Sequence, residues 1–352
     1  MDEQYKNGDI LPTEKELAEQ FFTSRVTVQK SMRLLSNEGY ISRSPGRGTY
    51  VTYSPPGKKS ADANLIGVIL CNISPSFGLE TLLSIEKTAQ ELDYSIILKN
   101  SMACRELESK HINDLTSLGA KGLIVQPLQG DYYSDKLIRL QLNKFPLLLI
   151  DRRFKGFPIA SISTNNSLAT EDLVNHLFVH GHNHIGFICY YSKNTSSIEA
   201  RLNGFKSMYF KSSKSVFESN ILTTIETPDD LNAREKNIDR ITNYLTENSH
   251  ITAIIASENL VTSLVLEAVT RMGKSIPEHY SLVCFDDPSG ISHKKITHIK
   301  QNESQIGDLA VNLLHKKICN EMTGTSVFVA HTLVLGNSVK TLDATETLKQ
   351  RN

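Results

Sequence analysis

Between Leu65 and Phe285 short apolar runs alternate with stretches of helical periodicity, and no other feature of the chain constrains its fold as strongly. Leu65–Leu70, Ser95–Leu98, Gly122–Val125 and Leu147–Ile150 have the length and apolar content of buried strands. Between them, Leu79–Leu92, Leu107–Leu118 and Leu137–Leu142 carry helical patterns. Strand, helix, strand in repetition requires right-handed crossovers and predicts a parallel sheet covered by helices. The pattern restarts over Ser161–Ser163, Leu168–His180, Ile185–Cys189, Ile198–Phe210, Ile238–Leu245, Ala253–Ala256, Leu260–Met272 and Ser281–Phe285. The expectation is an α/β fold with two parallel-sheet lobes.

Composition fits this reading. In 352 residues there is room for two or three domains. Lys plus Arg and Asp plus Glu are each 38, hydrophobic residues make 39% and charged residues 22%, which describes a soluble globular chain and excludes a fibrous or disordered one. No run reaches the length of a membrane span, and the N-terminus lacks a basic segment followed by an apolar one, so a cytoplasmic protein with no membrane partner is expected. The cysteines Cys71, Cys104, Cys189, Cys284 and Cys319 are odd in number and never spaced CxxC, and are read as small buried hydrophobes.

The neutral total conceals a local excess. From residue 20 to 59 the ionised groups are Arg25, Lys30, Arg33, Arg43, Arg47, Lys58 and Lys59 against Glu38, a net charge of about +6 that suits contact with a polyanion. Within this region Thr13 and Glu16 have the spacing of a capping box at the start of a first helix. A second helix starts at Thr23 or Ser24, with Val28, Met32 and Leu35 facing inward. The run Tyr40–Val51 alternates around a Gly-containing turn like a two-stranded wing. Residues 53–64, TYSPPGKKSADAN with the preceding threonine, are rich in Pro, Gly, Ser and Lys and read as a tether.

LPTEKELAEQF, SRVTVQKSMRLLSNEGYI and SRSPGRGTYV resemble, in order and spacing, the winged helix-turn-helix of GntR-type transcription regulators. The resemblance implies a DNA-binding domain over residues 1–52 in which Lys15, Arg25, Thr27, Gln29, Gly46 and Arg47 touch double-stranded operator DNA. At Gln29 the family more often has arginine, so an amide contact of the adenine type would replace a phosphate or guanine contact. Lys15 has the alternative of a solvated helix residue. Only Met1–Gln4 precede Tyr5, where the family has an amphipathic helix; a start upstream of Met1 is the expectation.

Past the tether, polar groups follow the strands at the end where open α/β sheets bind ligands. Asp151-Arg152 follows Ile150, Asn165-Asn166 follows the Ser161 strand, Glu258-Asn259 follows the Ala253 strand, and Asp286-Asp287 follows Phe285. Carboxylate, amide and guanidinium groups are the planar bidentate set that recognises adjacent sugar hydroxyls. The order of IGVILCN, GLIVQP, LLLIDRR, ARLNGF, TAIIASENL and SLVCFDD resembles the effector core of LacI-type repressors, a two-lobed fold related to periplasmic sugar-binding proteins. It implies a core over residues 65–345, with lobe 1 about 65–162 and 294–326 and lobe 2 about 163–293 and 327–345. It further implies that Asp151, Arg201 and Asp286 bind effector with Phe77 covering it, and that Arg152, Asn165, Glu258 and Gln301 are further candidates. Arg201 in a surface ion pair and Asp286 as a helix cap are the alternatives. Where that family usually has Asn-Asp, this chain has Glu258-Asn259, an added carboxylate. A GntR-type head on a LacI-type core resembles the arabinose repressor group.

The expected function is therefore a homodimeric regulator, a repressor of carbohydrate genes released from its operator by a sugar. A solute-binding protein, or a regulator answering to a purine or sugar phosphate held by Arg152 and Arg153, remains the alternative. An enzyme is not expected: there is no GxGxxG or GKS/T phosphate loop, no GxSxG elbow and no matched acid/base pair, so no cofactor is implied. His176, His180, His182 and His184 form a dense group, read as structural at a helix end closed by Gly181, with no metal. Tyr132-Tyr133 and Tyr190-Tyr191 are read as lobe-surface or cleft-rim aromatics.

Overall fold

The computed structural model describes residues 5, 8–37, 40–44, 48–52, 64–71, 73–74, 76–130, 133–190, 195–226, 231–288, 290, 295–321 and 326–343. The chain divides into two compact units, Met1–Ala63 and Asn64–Asn352.

The first unit contains α1 (Glu14–Gln20), α2 (Arg25–Asn37), β1 (Ile41–Ser44) and β2 (Gly48–Val51). Thr13 and Glu16 close the expected capping box, which satisfies donors at the start of α1 that no helical carbonyl can reach. Ser24 does the same for α2, its Oγ accepting from the Thr27 amide at 3.2 Å. Leu17, Ala18, Val28, Met32 and Ile41 are buried together, with Leu11 packed against them. Leu35 is not part of this core, contrary to the helical-face expectation. It is 36% exposed, and Ile10, Phe21, Phe22 and Leu34 are exposed as well, so the small domain carries uncovered apolar surface.

In the second unit, among the described residues, two six-stranded sheets repeat one strand order. The first comprises β3 (Leu65–Leu70), β4 (Ser95–Asn100), β5 (Gly122–Val125), β6 (Leu147–Ile150), β7 (Ser161–Thr164) and β13 (Ser326–Val329), ordered β13-β7-β6-β5-β3-β4 and parallel throughout. The second comprises β8 (Ile185–Tyr190), β9 (Ile221–Ile225), β10 (Ala253–Ala256), β11 (Ser281–Phe285), β12 (Thr297–Gln301) and β14 (His331–Val334), ordered β14-β12-β11-β10-β8-β9, with β14 antiparallel at the edge. Central strands are buried on both faces, which is why they read as unbroken apolar runs.

Helices α3 (Leu79–Glu91) and α10 (Glu303–Ile318) pack together on lobe 1, and α6 (Asn166–Val179) and α7 (Ser196–Lys211) on lobe 2. Each pair crosses at a glycine: a Cβ on Gly307 would meet the Thr81 carbonyl oxygen at 2.6 Å, and one on Gly204 would collide with the Ser167 backbone. The remaining helices are α4 (Arg105–Ser117), α5 (Asp135–Leu142), α8 (Leu231–Glu247) and α9 (Asn259–Arg271).

The chain passes between the lobes after β7, β12 and β13. This corrects the expected boundaries: the strand Thr297–Gln301, assigned to lobe 1, pairs through Thr297–Ile299 with β11 of lobe 2, and Val327–Val329, assigned to lobe 2, pairs with β7 of lobe 1. THIKQ contains a single large aliphatic residue, so hydropathy alone does not mark it as a strand; its partner β11 does. Two further readings change. Cys71, Cys189 and Cys284 are buried, but Cys104 is half-buried and Cys319 exposed. Tyr190, read as a rim residue, is buried, while Tyr191 and Tyr132 lie outside the described residues.

Candidate functional site

The two lobes face one another with strand carboxyl ends meeting, and each contributes an aspartate from the same point in its topology. Asp151 follows β6, the fourth strand of lobe 1, and Asp286 follows β11, the fourth of lobe 2. Both adopt left-handed backbone conformations, with φ of 65° and 66°, so the chain turns sharply out of the sheet at the carboxylate. They are 8% and 9% exposed.

Each carboxylate is held by an amide. Gln126 Nε2, just past β5, donates to Asp151 Oδ2 at 3.0 Å. Gln301 Nε2 donates to Asp286 Oδ1 at 2.7 Å, while its Oε1 accepts from Thr164 Oγ1 at 2.6 Å. Gln301 thus has both amide atoms engaged where two interlobe passages touch, and it orients Asp286. Burial pushes the Asp286 carboxyl up from its ordinary range, with the Arg201 charge opposing.

Two arginines, Arg201 buried and Arg152 half-buried, balance part of this charge. Arg201, 4% exposed on α7, donates from Nε to Asn166 Oδ1 at 2.7 Å and from a terminal nitrogen to the Ser257 carbonyl, and its guanidinium lies 3.8 Å from the Phe285 ring centre. This excludes a surface ion pair for Arg201. Arg152 approaches Asp151 Oδ2 at 3.3 Å and donates to the Pro127 carbonyl at 2.8 Å. Burial works against the Arg152 cation, and Asp151, Cys71 and Glu258 more than offset it.

Glu258, at the N-cap of α9, lies in the field of Arg201, Asp286, Arg152 and Asp151, and its carboxyl is pushed up to about 7, first by burial and against Arg201. Its Oε1 is buried and makes no hydrogen bond; neither do Asn259 Oδ1 and Arg152 Nε. Across the cleft Asn259 Nδ2 donates to Ser76 Oγ at 2.6 Å. Phe77 and Asp151 line a small recess with Thr81 and Gln126, which brings the expected aromatic cover to the first aspartate. A larger cavity of about 280 Å³ is lined by Ser76, Glu80, Asp286, Asp287, Lys300 and Glu303 among others, at the small end of the roughly 300–1,000 Å³ typical of small-molecule clefts.

Of the expected residues, Asp151, Arg152, Arg201, Glu258 and Asp286 form one electrostatic cluster. Asn165 caps α6, its Oδ1 accepting from the Leu168 amide at 3.3 Å, and lines a recess with Asp151 and Arg153. Arg153 is exposed, and its backbone amide donates to Ser196 Oγ at 2.9 Å. Sequence reasoning missed Gln126 and Phe285, whereas Asn166 and Asn259 stand among the strand-end polar groups without being assigned to the ligand. Gln126 had the same signal as Asp151, a polar residue directly after a strand; Phe285 gains its role only through packing. His182 is fully buried and hydrogen-bonded to Thr252, Ser281 and the Lys340 carbonyl, and Gly181 has φ of 88° past the helix end. No metal-holding group of His, Cys, Asp and Glu occurs among the described residues, and no helix among them is long and apolar enough to cross a membrane.

In the small unit, α2 presents Arg25, Thr27 and Gln29 to solvent, and Val26, Gln29, Lys30, Arg33, Ser36 and Arg43 line an open basic groove between α2 and β1. Glu14 ties this surface together: its carboxylate accepts from Gln29 Nε2 at 2.9 Å and from Arg43 at 3.0 Å. Gln29 retains its second amide hydrogen and its carbonyl oxygen. Lys15 is exposed on α1, and Gly46 and Arg47 lie outside the described residues.

The model of the gntR family of bacterial regulatory proteins matches residues 1–51, and that of the periplasmic binding protein-like domain matches residues 174–339. The chain joins a GntR-type head to a periplasmic-binding-protein-like core. Over 323 residues it is 24% identical to the arabinose metabolism transcriptional repressor of Geobacillus stearothermophilus, covering 90% of this chain and 86% of that one. It is 25% identical to the ribose operon repressor of Halalkalibacterium halodurans, covering 84% and 88%. In fold it is similar to the transcription regulator CcpA of Lactococcus lactis, with a TM-score of 0.70 at 20% identity over 79% of this chain and 100% of that one. A LacI family regulator from Enterococcus faecium with bound ribose gives 0.64 at 21% identity, covering 79% and 100%.

Proposed function

We propose that this GntR-headed, periplasmic-binding-protein-like chain is a cytoplasmic, homodimeric transcription regulator. In this reading it represses carbohydrate-utilisation genes of the arabinose or pentose type and leaves its operator when a sugar enters the cleft. The observation that carries the reading is the joining, in one chain, of an exposed basic helix-and-wing surface to a cleft in which Asp151 and Asp286 from opposite lobes converge with half-buried Arg152 and buried Arg201. Lys15, Arg25, Thr27, Gln29, Gly46 and Arg47 would meet DNA, with phosphate contacts supplying affinity and the Gln29 amide suited to an adenine edge. Phe77, Asp151, Arg201, Glu258 and Asp286 would meet the sugar; Arg152, Gln301 and Asn165 act on it through their neighbours.

Ligand that draws the lobes together changes the three interlobe passages, one of which carries Gln301 between Thr164 and Asp286. Release from DNA requires only that sugar favour the state that does not bind operator, by a coupling of about 1–3 kcal/mol. Among the described residues the cleft has carboxylates and guanidiniums but no nucleophile with an adjacent base, so a non-enzymatic role fits it better than catalysis.

The test is fluorescence anisotropy of a duplex from the region upstream of the chain's own gene, titrated with protein in the presence and absence of L-arabinose and other pentoses and hexoses. Expected is salt-sensitive binding relieved by one sugar. Binding that no sugar changes at saturation overturns the induced-repressor reading.

A further inference from the structure

Three carboxylates, Asp151, Glu258 and Asp286, share the cleft with two guanidiniums, and the guanidiniums are partly engaged with the protein itself. Arg201 gives two of its nitrogens to Asn166 and the Ser257 carbonyl and lies over the Phe285 ring. Arg152 pairs with Asp151 and donates to the Pro127 carbonyl, while its Nε makes no hydrogen bond. Carboxylates therefore outnumber guanidiniums around the ligand space. Acceptor capacity is ample: Glu258 Oε1 and Asn259 Oδ1 are buried at the cleft wall with no hydrogen bond. Buried acceptors left unpaired cost free energy, which a ligand supplying O–H or N–H groups recovers. The neighbouring cavity has the same bias, with Glu80, Asp286, Asp287 and Glu303 on its lining against Lys300. Arg153 is exposed, lies over the Phe328 ring and lines a separate recess with Asp151 and Asn165.

We propose that Glu258 is a specificity-determining residue that selects polyhydroxyl ligands without an anionic group, its Oε1 accepting a ligand hydroxyl or ammonium hydrogen beside Asn259 Oδ1. This rests on the effector-cleft reading above and sharpens it: phosphorylated sugars and other anions are rejected. A phosphate placed near Glu258 would meet the carboxylates of Asp151, Asp286 and Glu258 in a desolvated wall where carboxylates outnumber guanidiniums.

The test uses the full chain and measures binding by titration calorimetry and by the ligand-induced rise in thermal midpoint, followed by circular dichroism. The probes are L-arabinose, D-ribose and D-glucose as uncharged polyols, D-glucosamine as a cation, and D-ribose 5-phosphate and D-glucose 6-phosphate as anions. At least one uncharged or cationic member is expected to bind, and its phosphorylated counterpart at least tenfold more weakly. Glu258→Gln should weaken the preferred ligand about tenfold and narrow the gap to the anion. Asn259→Leu, which leaves the carboxylate in place, should weaken the preferred ligand while preserving the gap, and each apo variant's own thermal midpoint reports whether it is folded. An anion that binds as tightly as its uncharged parent overturns the proposal, as does a folded Glu258→Gln variant within twofold of the parent chain. If an anion binds and also releases operator DNA, the regulator reading stands and this one falls. If no probe either binds or releases DNA, both fall.

Discussion

The two lobes share one strand order and set an aspartate after the fourth strand with nearly the same φ, yet they surround the two carboxylates differently. In lobe 1, Asp151 is met by the guanidinium of the very next residue and by Gln126 from the adjacent strand end. In lobe 2, Asp286 is met by an amide from an interlobe passage, and the nearby Glu258 leaves an acceptor open. Equal folds therefore do not give equal sites. Lobe 1 neutralises its own charge from local sequence, whereas lobe 2 relies on Arg201 from a helix and on the second passage between lobes. The lobe 2 wall is the acceptor-rich half of the cleft.

The largest effect that probes this difference comes from the arginines. Arg201→Met removes the cation facing Asp286 and Glu258 and strands Asn166 and the Ser257 carbonyl, and should destabilise the core by about 3–5 kcal/mol in urea unfolding. Arg152→Met, whose side chain is 13% exposed, should cost clearly less; equal losses would erase the contrast. At the helix crossings the lobes should instead behave alike: Gly204→Ala and Gly307→Ala each force a methyl against backbone and should each cost roughly 1–3 kcal/mol.

A smaller effect is the response to pH. Burial raises Glu108, in lobe 1, and Glu258, in lobe 2, from 4.5 to about 7. The folded state binds these protons more tightly than the unfolded one, so their contribution is fully present near pH 4.5 and is lost as pH rises through 7. The apo thermal midpoint should fall between pH 5 and 8, and Glu108→Gln and Glu258→Gln should each flatten the slope. Bound ligand should alter the Glu258 share alone, since the Glu108 carboxylate faces the Leu128 amide and Ser134 inside lobe 1. The smallest effect falls outside the cleft: Thr13→Ala should remove about 1 kcal/mol from the head and leave the core's unfolding unchanged.

The sequence by itself determined the lobes, the head and the aspartates. Periods of two and 3.6, caps and strand-end polar residues are local signals, and local signals marked β3, β5, β6, β10 and β11 to the residue. It did not mark β12, because Thr297–Gln301 is a strand only by virtue of the neighbour that pairs with it, and so it misassigned the tail of each lobe. The tertiary structure alone decided which polar residues face the cleft and which are consumed in holding others: Gln301 and Asn165, indistinguishable in sequence from ligands, have their side chains engaged with Thr164, Asp286 and a helix end. It also decided that the Glu258 carboxylate lacks a hydrogen-bond partner on one oxygen. A residue's type fixes what it can donate or accept, but only the burial and spacing set by distant segments fix whether that capacity is left for a ligand.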